Sequence, residues 1–241
     1  MEQRNFQFDG QWNIVYYPER PSGFAVMILG DRHHYVDKEG SYWQNHPGRS
    51  EMLQLLKDTG YTLLASNLYR PNWGNDLSVH SAIKLRHLLL KSEILNDRIH
   101  ILAEGTGALT ALKLMAVCPE GFRSAVFLNP CLSLRELIQR ERERKVYFKG
   151  FQQEIAQAYN LDAGELDSLE REELKDPDIK TPLQIIHVLG GSEEDQSHLY
   201  KELEASSQVG SKVEIQYLSA EKRYKCAMLA RQFFKRHEKY L

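Results

Sequence analysis

Apolar positions mark off the elements of this chain one after another. Asn5 to Phe8 and Trp12 to Tyr17 alternate or run apolar on either side of Asp9-Gly10, a dipeptide that supplies the positive φ angles of a tight hairpin. Two antiparallel strands are predicted there. Phe24 to Leu29 is a continuous apolar run ending at Gly30, the pattern of a strand covered on both faces. A polar loop follows, and then Ser50 is placed to cap a helix whose Met52, Leu53, Leu55 and Leu56 form one apolar face before Gly60 stops it.

The alternation continues with strand Tyr61 to Ala65, helix Ser78 to Leu95, strand Ile99 to Ala103, helix Ala108 to Val117 and strand Ala125 to Leu128. From Leu132 the pattern changes. A charge-dense run from Arg135 to Lys145 leads into amphipathic helical segments through Tyr159 and Leu174, with no strand visible. Two readings fit: solvated helices laced by Glu to Arg pairs at i, i+4, or a cap over the sheet edge that shapes a pocket. After Thr181-Pro182 the strands return at Leu183 to Leu189 and Val213 to Leu218, with helices Gln196 to Ser206 and Lys225 to Tyr240. This βαβ repetition implies a three-layer α/β fold. Its eight-stranded sheet is mainly parallel, with an N-terminal antiparallel hairpin and a small helical cap near 132–180 inside one domain. Ligands of such sheets sit at the carboxyl ends of the strands.

Composition narrows the function. The chain has 241 residues, 42% hydrophobic and 27% charged, enough for a large core. Its 31 Lys plus Arg against 33 Asp plus Glu leave no positive surplus to hold a phosphate backbone, so no nucleic acid is expected. Cys118, Cys131 and Cys226 fall outside any metal-binding spacing and read as reduced thiols, so no metal is expected. Met1 to Gly10 lacks the apolar core of a signal peptide, and no run reaches the length of a membrane span. The cytoplasm is the expected location, with no membrane contact.

Chemistry should concentrate in Ile99 to Leu114, IHILAEGTGALTALKL, where an apolar strand passes through a small-residue turn into a helix. This segment resembles the nucleophile elbow, G-x-S-x-G, of the α/β-hydrolase family. On that pattern Ala103 takes the first glycine, Glu104 the spacer, Gly105 the nucleophile, Thr106 the next spacer and Gly107 the last glycine. The resemblance spans nearly the whole chain and places the oxyanion loop at Gly30-Asp31. It implies a triad in the order nucleophile, acid, histidine. Gly105 cannot attack a carbonyl. Glu193, Glu194 and Asp195 offer an acid without a fixed register, and no histidine lies between His198 and His237 where the base should follow the last strand. The resemblance therefore implies a degenerate member lacking the serine and the histidine, without ordinary serine-hydrolase turnover.

Other candidates surround the same edge. Gly105-Thr106-Gly107-Ala108-Leu109-Thr110 approaches the G-x-G-x-x-G of dinucleotide folds, but Thr110 holds the sixth position, no acid ends the next strand at Asn129, and Glu104 would repel a pyrophosphate. No cofactor is expected. Small residues at a helix N-terminus remain compatible with holding a polar group. Arg32, His33 and His34 read as a polar loop or as ligand contacts, and His187 as a hydrogen-bonded core residue. Cys131 is a candidate substitute nucleophile, and a water held by Asp31 and Glu104 is another catalytic device. Tyr42, Trp43, Tyr69 and Trp73 could wall a pocket or simply pack, and Asp76 and His80 could pair locally. The expected function is a catalytically inactive hydrolase-like protein that binds a small molecule or a protein partner, through Gly30, Asp31, Arg32, Glu104, Thr106 and Asn129. The alternative is an esterase-like hydrolase using non-standard residues.

Overall fold

The structure is a computed structural model describing residues 2–144, 148–162, 165–169, 179–190, 196–206 and 213–239. The opening hairpin forms as its turn dictates: β1 (Gln3–Phe8) pairs antiparallel with β2 (Gln11–Tyr16), and Asp9 and Gly10 adopt φ of 55° and 71°. The next strands are β3 (Ala25–Leu29), β4 (Thr62–Ser66), β5 (Ile99–Glu104) and β6 (Phe122–Leu128), followed by β7 (Leu183–Val188) and β8 (Val213–Leu218). They join the hairpin in one eight-stranded sheet ordered β1-β2-β4-β3-β5-β6-β7-β8. Every neighbouring pair from β4 to β8 is parallel.

Alternate strand residues feed two cores. Ala25, Met27, Ile101 and Ile185 face α3 (Asp76–Ser92), α4 (Gly107–Val117) and α8 (Ser197–Ser206). Val26, Ile28, Leu102 and Ile186 face α2 (Pro47–Asp58) and α9 (Lys225–Arg236). Burial on both faces explains why the parallel strands read as unbroken apolar runs. The cap comprises α5 (Leu134–Arg144), α6 (Phe148–Tyr159) and α7 (Leu166–Leu169). Its apolar face closes on Trp73, which is 2% exposed and meets the Phe151 ring edge-on at 5.2 Å. Tyr159 and Asn75 fasten the same segment, donating to the carbonyls of Trp73 and Ala158 at 2.8 and 2.6 Å.

Several boundaries differ from the sequence expectation. The stretch between Gly30 and Ser50 is not all loop: Ser41 accepts the Gln44 N–H and caps α1 (Tyr42–Asn45). Helix α2 begins at Pro47, whose ring presets the first turn, and not at Ser50. Helix α3 begins at Asp76 because Asn75, not Ser78, supplies the cap, accepting the Ser78 N–H at 2.8 Å. Leu174 and the residues Glu193, Glu194 and Asp195 lie outside the described residues. Within α5 Glu141 pairs with Arg144 at i, i+3.

Candidate functional site

The carboxyl ends of β3 and β5 bring Gly30, Asp31, Glu104, Gly105 and Thr106 to one edge, with β6 delivering Asn129 and Cys131 beside them. Between the last residue of β5 and the first turn of α4 the chain must reverse sharply. Gly105 absorbs this with φ of 54°, a region that suits glycine. Gly107 has a different reason: a Cβ there would lie 2.2 Å from the Leu29 carbonyl oxygen, so only a hydrogen lets the helix approach β3. The turn is tied to β6 by Gly105 N–H to Leu128 O at 3.1 Å and Cys131 N–H to Gly105 O at 2.9 Å.

The Asp31 carboxylate fills the space over this turn. Its Oδ1 accepts the Thr106 N–H at 3.0 Å, the Thr106 hydroxyl at 2.7 Å and the Arg32 N–H at 2.8 Å. Burial by itself would raise its pKa, but these bonds to the ionised form outweigh it and hold the carboxyl below the usual value. A Cβ on residue 105 would stand 2.6 Å from Asp31 Cγ and Oδ1. The acid therefore occupies the volume that any side chain at the turn would need.

A second carboxylate is neutralised close by. Arg49 of α2 grips Glu104 with Nε on Oε2 at 2.6 Å and its Nη2 on the other oxygen, a fork-to-carboxylate pair largely out of solvent. The Arg49 guanidinium also lies 5.8 Å from the Trp43 ring centre. His34 has its Nδ1 lone pair taken by the Asp31 N–H and the Trp43 indole N–H, both at 3.1 Å, which assigns its proton to Nε2. Burial pushes its pKa down, so it is neutral at pH 7. Its ring stacks on Tyr42 at 3.9 Å. Burial likewise raises the Cys226 thiol, with the Glu104 charge adding to the effect.

The remaining sequence candidates disperse. Asn129, at φ 40°, accepts the Val188 N–H at 2.7 Å and so braces β6 against β7. Arg32 extends over the Trp73 ring at 5.3 Å and donates to His33 at 3.0 Å. Cys131 is 1% exposed, with its Sγ 3.6 Å from the Ser133 carbonyl. Trp73 belongs to the cap core, and Tyr69 donates to the Asp9 carbonyl. Asp76 and His80 do not pair through side chains: His80 Nδ1 meets the Asp76 carbonyl, and the Asp76 carboxylate faces Lys113 at 3.2 Å. His187 is buried, 3.5 Å from the Tyr200 hydroxyl. After β8 the chain reaches α9 without a histidine, and His237 follows that helix, packed on Phe233.

The cavity enclosed by Gly30, Asp31, His34, Asn67, Asn72 and Thr106 measures about 20 Å³, room for a single water. Among the described residues no cluster of His, Cys, Asp and Glu is arranged to hold a metal, and no helix is long and apolar enough to cross a membrane. Sequence reasoning missed Arg49. It lies 55 residues from Glu104 with no local signal, and only the closure of α2 over β5 brings the two together.

No protein-family model and no curated protein sequence matches the chain. Solved structures do. Est1E from Butyrivibrio proteoclasticus superposes with a TM-score of 0.72 at 10% identity, covering 98% of both chains. Alpha/beta hydrolase domain-containing protein 10 from mouse gives 0.65 at 9% identity, covering 99% of this chain and 100% of that one. An S-formylglutathione hydrolase from Agrobacterium tumefaciens gives 0.63 at 12% identity, covering 98% and 93%. At such identities the likeness speaks for architecture alone, and with the strand order it establishes that this chain has the α/β-hydrolase fold.

Proposed function

We propose that this protein is a catalytically inactive α/β-hydrolase-like protein whose reaction site is closed from within. The observation that carries the reading is the Asp31 carboxylate on the Thr106 N–H and hydroxyl above Gly105. In a working elbow, the N–H after the nucleophile helps to stabilise the negative oxygen of the tetrahedral intermediate. Here that donor already serves an internal anion, and a second anion in its place would face the full charge of Asp31. Loss of a triad serine or histidine by itself forfeits about a millionfold in rate. Both absences and the occupied donor act in the same direction.

Gly30, Asp31, Arg32, Glu104, Thr106 and Asn129 then serve to hold the edge together. Among the described residues the cavity beside Asp31 and Thr106 is about 20 Å³, too small for a metabolite, which favours a protein partner at the outer surface over a small molecule in that cavity. The chain acts as one unit with residues 132–180 as its cap.

The test is steady-state hydrolysis of short-chain aryl esters across the range in which histidine titrates. We expect no rate above the protein-free background, for the wild-type chain and for Asp31→Ala alike. Saturable turnover with a pH profile would overturn the reading and favour an esterase working through other residues.

A further inference from the structure

We propose that a second cleft, at the opposite end of the sheet from Gly105, binds a small hydroxylated anion such as a phosphorylated or carboxylated polyol. Its origin lies in the strand pattern. On the face covered by α2 and α9, α9 packs on β6 and β7, and β8 adds Leu218 to the apolar core beneath it. On that face β7 and β8 carry Gln184, Glu214 and Gln216 in adjacent register, Gln184 opposite Glu214 and Ile186 opposite Gln216. Apolar residues would be expected where a helix packs. The polar trio instead floors a cleft of about 840 Å³, walled by α9 and by Asp58 and Thr59 at the end of α2.

The cleft is large enough for a metabolite, whereas the cavity beside Asp31 and Thr106 admits one water. Two features define the ligand. Gln184 is 5% exposed, and its enclosed amide oxygen has no hydrogen-bond partner among the described residues, an acceptor beneath the floor that a hydroxyl group entering there would satisfy. Arg231 and Lys235 stand one helical turn apart on α9, like charges that repel at this spacing, and neither has an acid partner among the described residues. Of the two acids lining the cleft, Glu214 is engaged by Arg236 at 2.7 and 3.2 Å, and Asp58 accepts from Gln54 at 2.6 Å. A cation pair without a counterion calls for an anion, while Gln184, Gln216 and Gln232 supply neutral donors and acceptors for hydroxyls. With Leu229 as the one apolar side chain among the described residues lining it, a hydrophobic ligand is disfavoured.

The test is calorimetric titration of the full chain with glycerol 3-phosphate, inorganic phosphate and glycerol. Saturable binding of glycerol 3-phosphate is expected, weaker binding of phosphate and none of glycerol. The double substitution Arg231→Gln, Lys235→Gln changes one half-buried and one exposed residue and should weaken binding at least about tenfold, with the melting temperature of the unliganded protein unchanged. Gln184→Leu should weaken glycerol 3-phosphate more than inorganic phosphate, since it removes a hydroxyl contact. Absence of binding by either anion overturns the proposal, as does binding that survives the double substitution.

Discussion

The carboxylate of Asp31 and the backbone N–H of Thr106 are 3.0 Å apart, and the Thr106 hydroxyl approaches the same oxygen to 2.7 Å. One loop after β3 thereby closes the turn after β5. A side chain at residue 105 cannot be added without moving this acid, because its Cβ would sit 2.6 Å from the carboxyl carbon in a backbone already at φ 54°. Gly105→Ser and Gly105→Ala should both lose about 2–4 kcal/mol of stability, the sum of left-handed strain and overpacking, measured by urea denaturation. Neither should gain ester hydrolysis, since the His34 Nδ1 lone pair is engaged by the Asp31 and Trp43 N–H groups and is not free to take the serine proton. A serine variant as stable as wild type would show that Asp31 does not fill this space.

Removing the acid tests its contribution from the other side. The folded pKa of Asp31 lies below its ordinary value, so the folded state prefers the carboxylate more than the unfolded state does. Stability from this group is present above the ordinary carboxylate pKa and is lost as pH falls through the lower, folded one. Asp31→Ala should therefore cost about 2 kcal/mol at neutral pH, with the gap to wild type narrowing in strong acid. Denaturation curves at neutral and acid pH check this, and a gap independent of pH would contradict it.

Arg49 and Glu104 form a largely enclosed pair, so removing one partner strands a charge. Arg49→Ala should cost about 2–3 kcal/mol, below the full penalty of a completely buried pair because some solvent reaches both side chains. Arg49→Lys should recover only part of this, since an ammonium cannot match the fork. In a double-mutant cycle, Arg49→Met with Glu104→Gln should be milder than either change alone.

His100 offers a separate pH effect inside the sheet. Its ring is fully buried beside Phe24, Tyr61 and Phe234, and burial pushes its pKa down from 6.5 to about 3. The unfolded chain takes up a proton below 6.5, while the folded imidazole stays neutral until about 3. Stability is intact above that window and falls on descending through it, by roughly 1.4 kcal/mol per pH unit at the steepest. His100→Leu should flatten this acid limb, read as the dependence of the urea midpoint on pH. An unchanged limb would assign the effect to other groups.

The sequence carried the order of elements because each parallel strand is buried on both faces and each helix shows one apolar stripe. Val26, Leu102 and Ile186 are legible for that reason. Helix starts were less legible: α2 begins at Pro47 and not at Ser50, and α3 is capped by Asn75 ahead of Ser78, choices that only the local backbone decides. At the candidate site, the glycine at the turn could be read directly from the elbow pattern. The meeting of Arg49 with Glu104 could not, since it depends on how α2 closes over β5. The engagement of Asp31 by Thr106, 75 residues away, likewise follows from the tertiary fold and not from any spacing.

A site closed from within makes one demand that no residual binding can imitate. After incubation with an excess of a fluorophosphonate, which phosphonylates activated serine, threonine and cysteine nucleophiles, the intact mass of this chain should be unchanged. A stoichiometric mass increase mapping to Thr106, Cys131 or any other residue of that edge would establish an activated nucleophile and contradict the inactive reading.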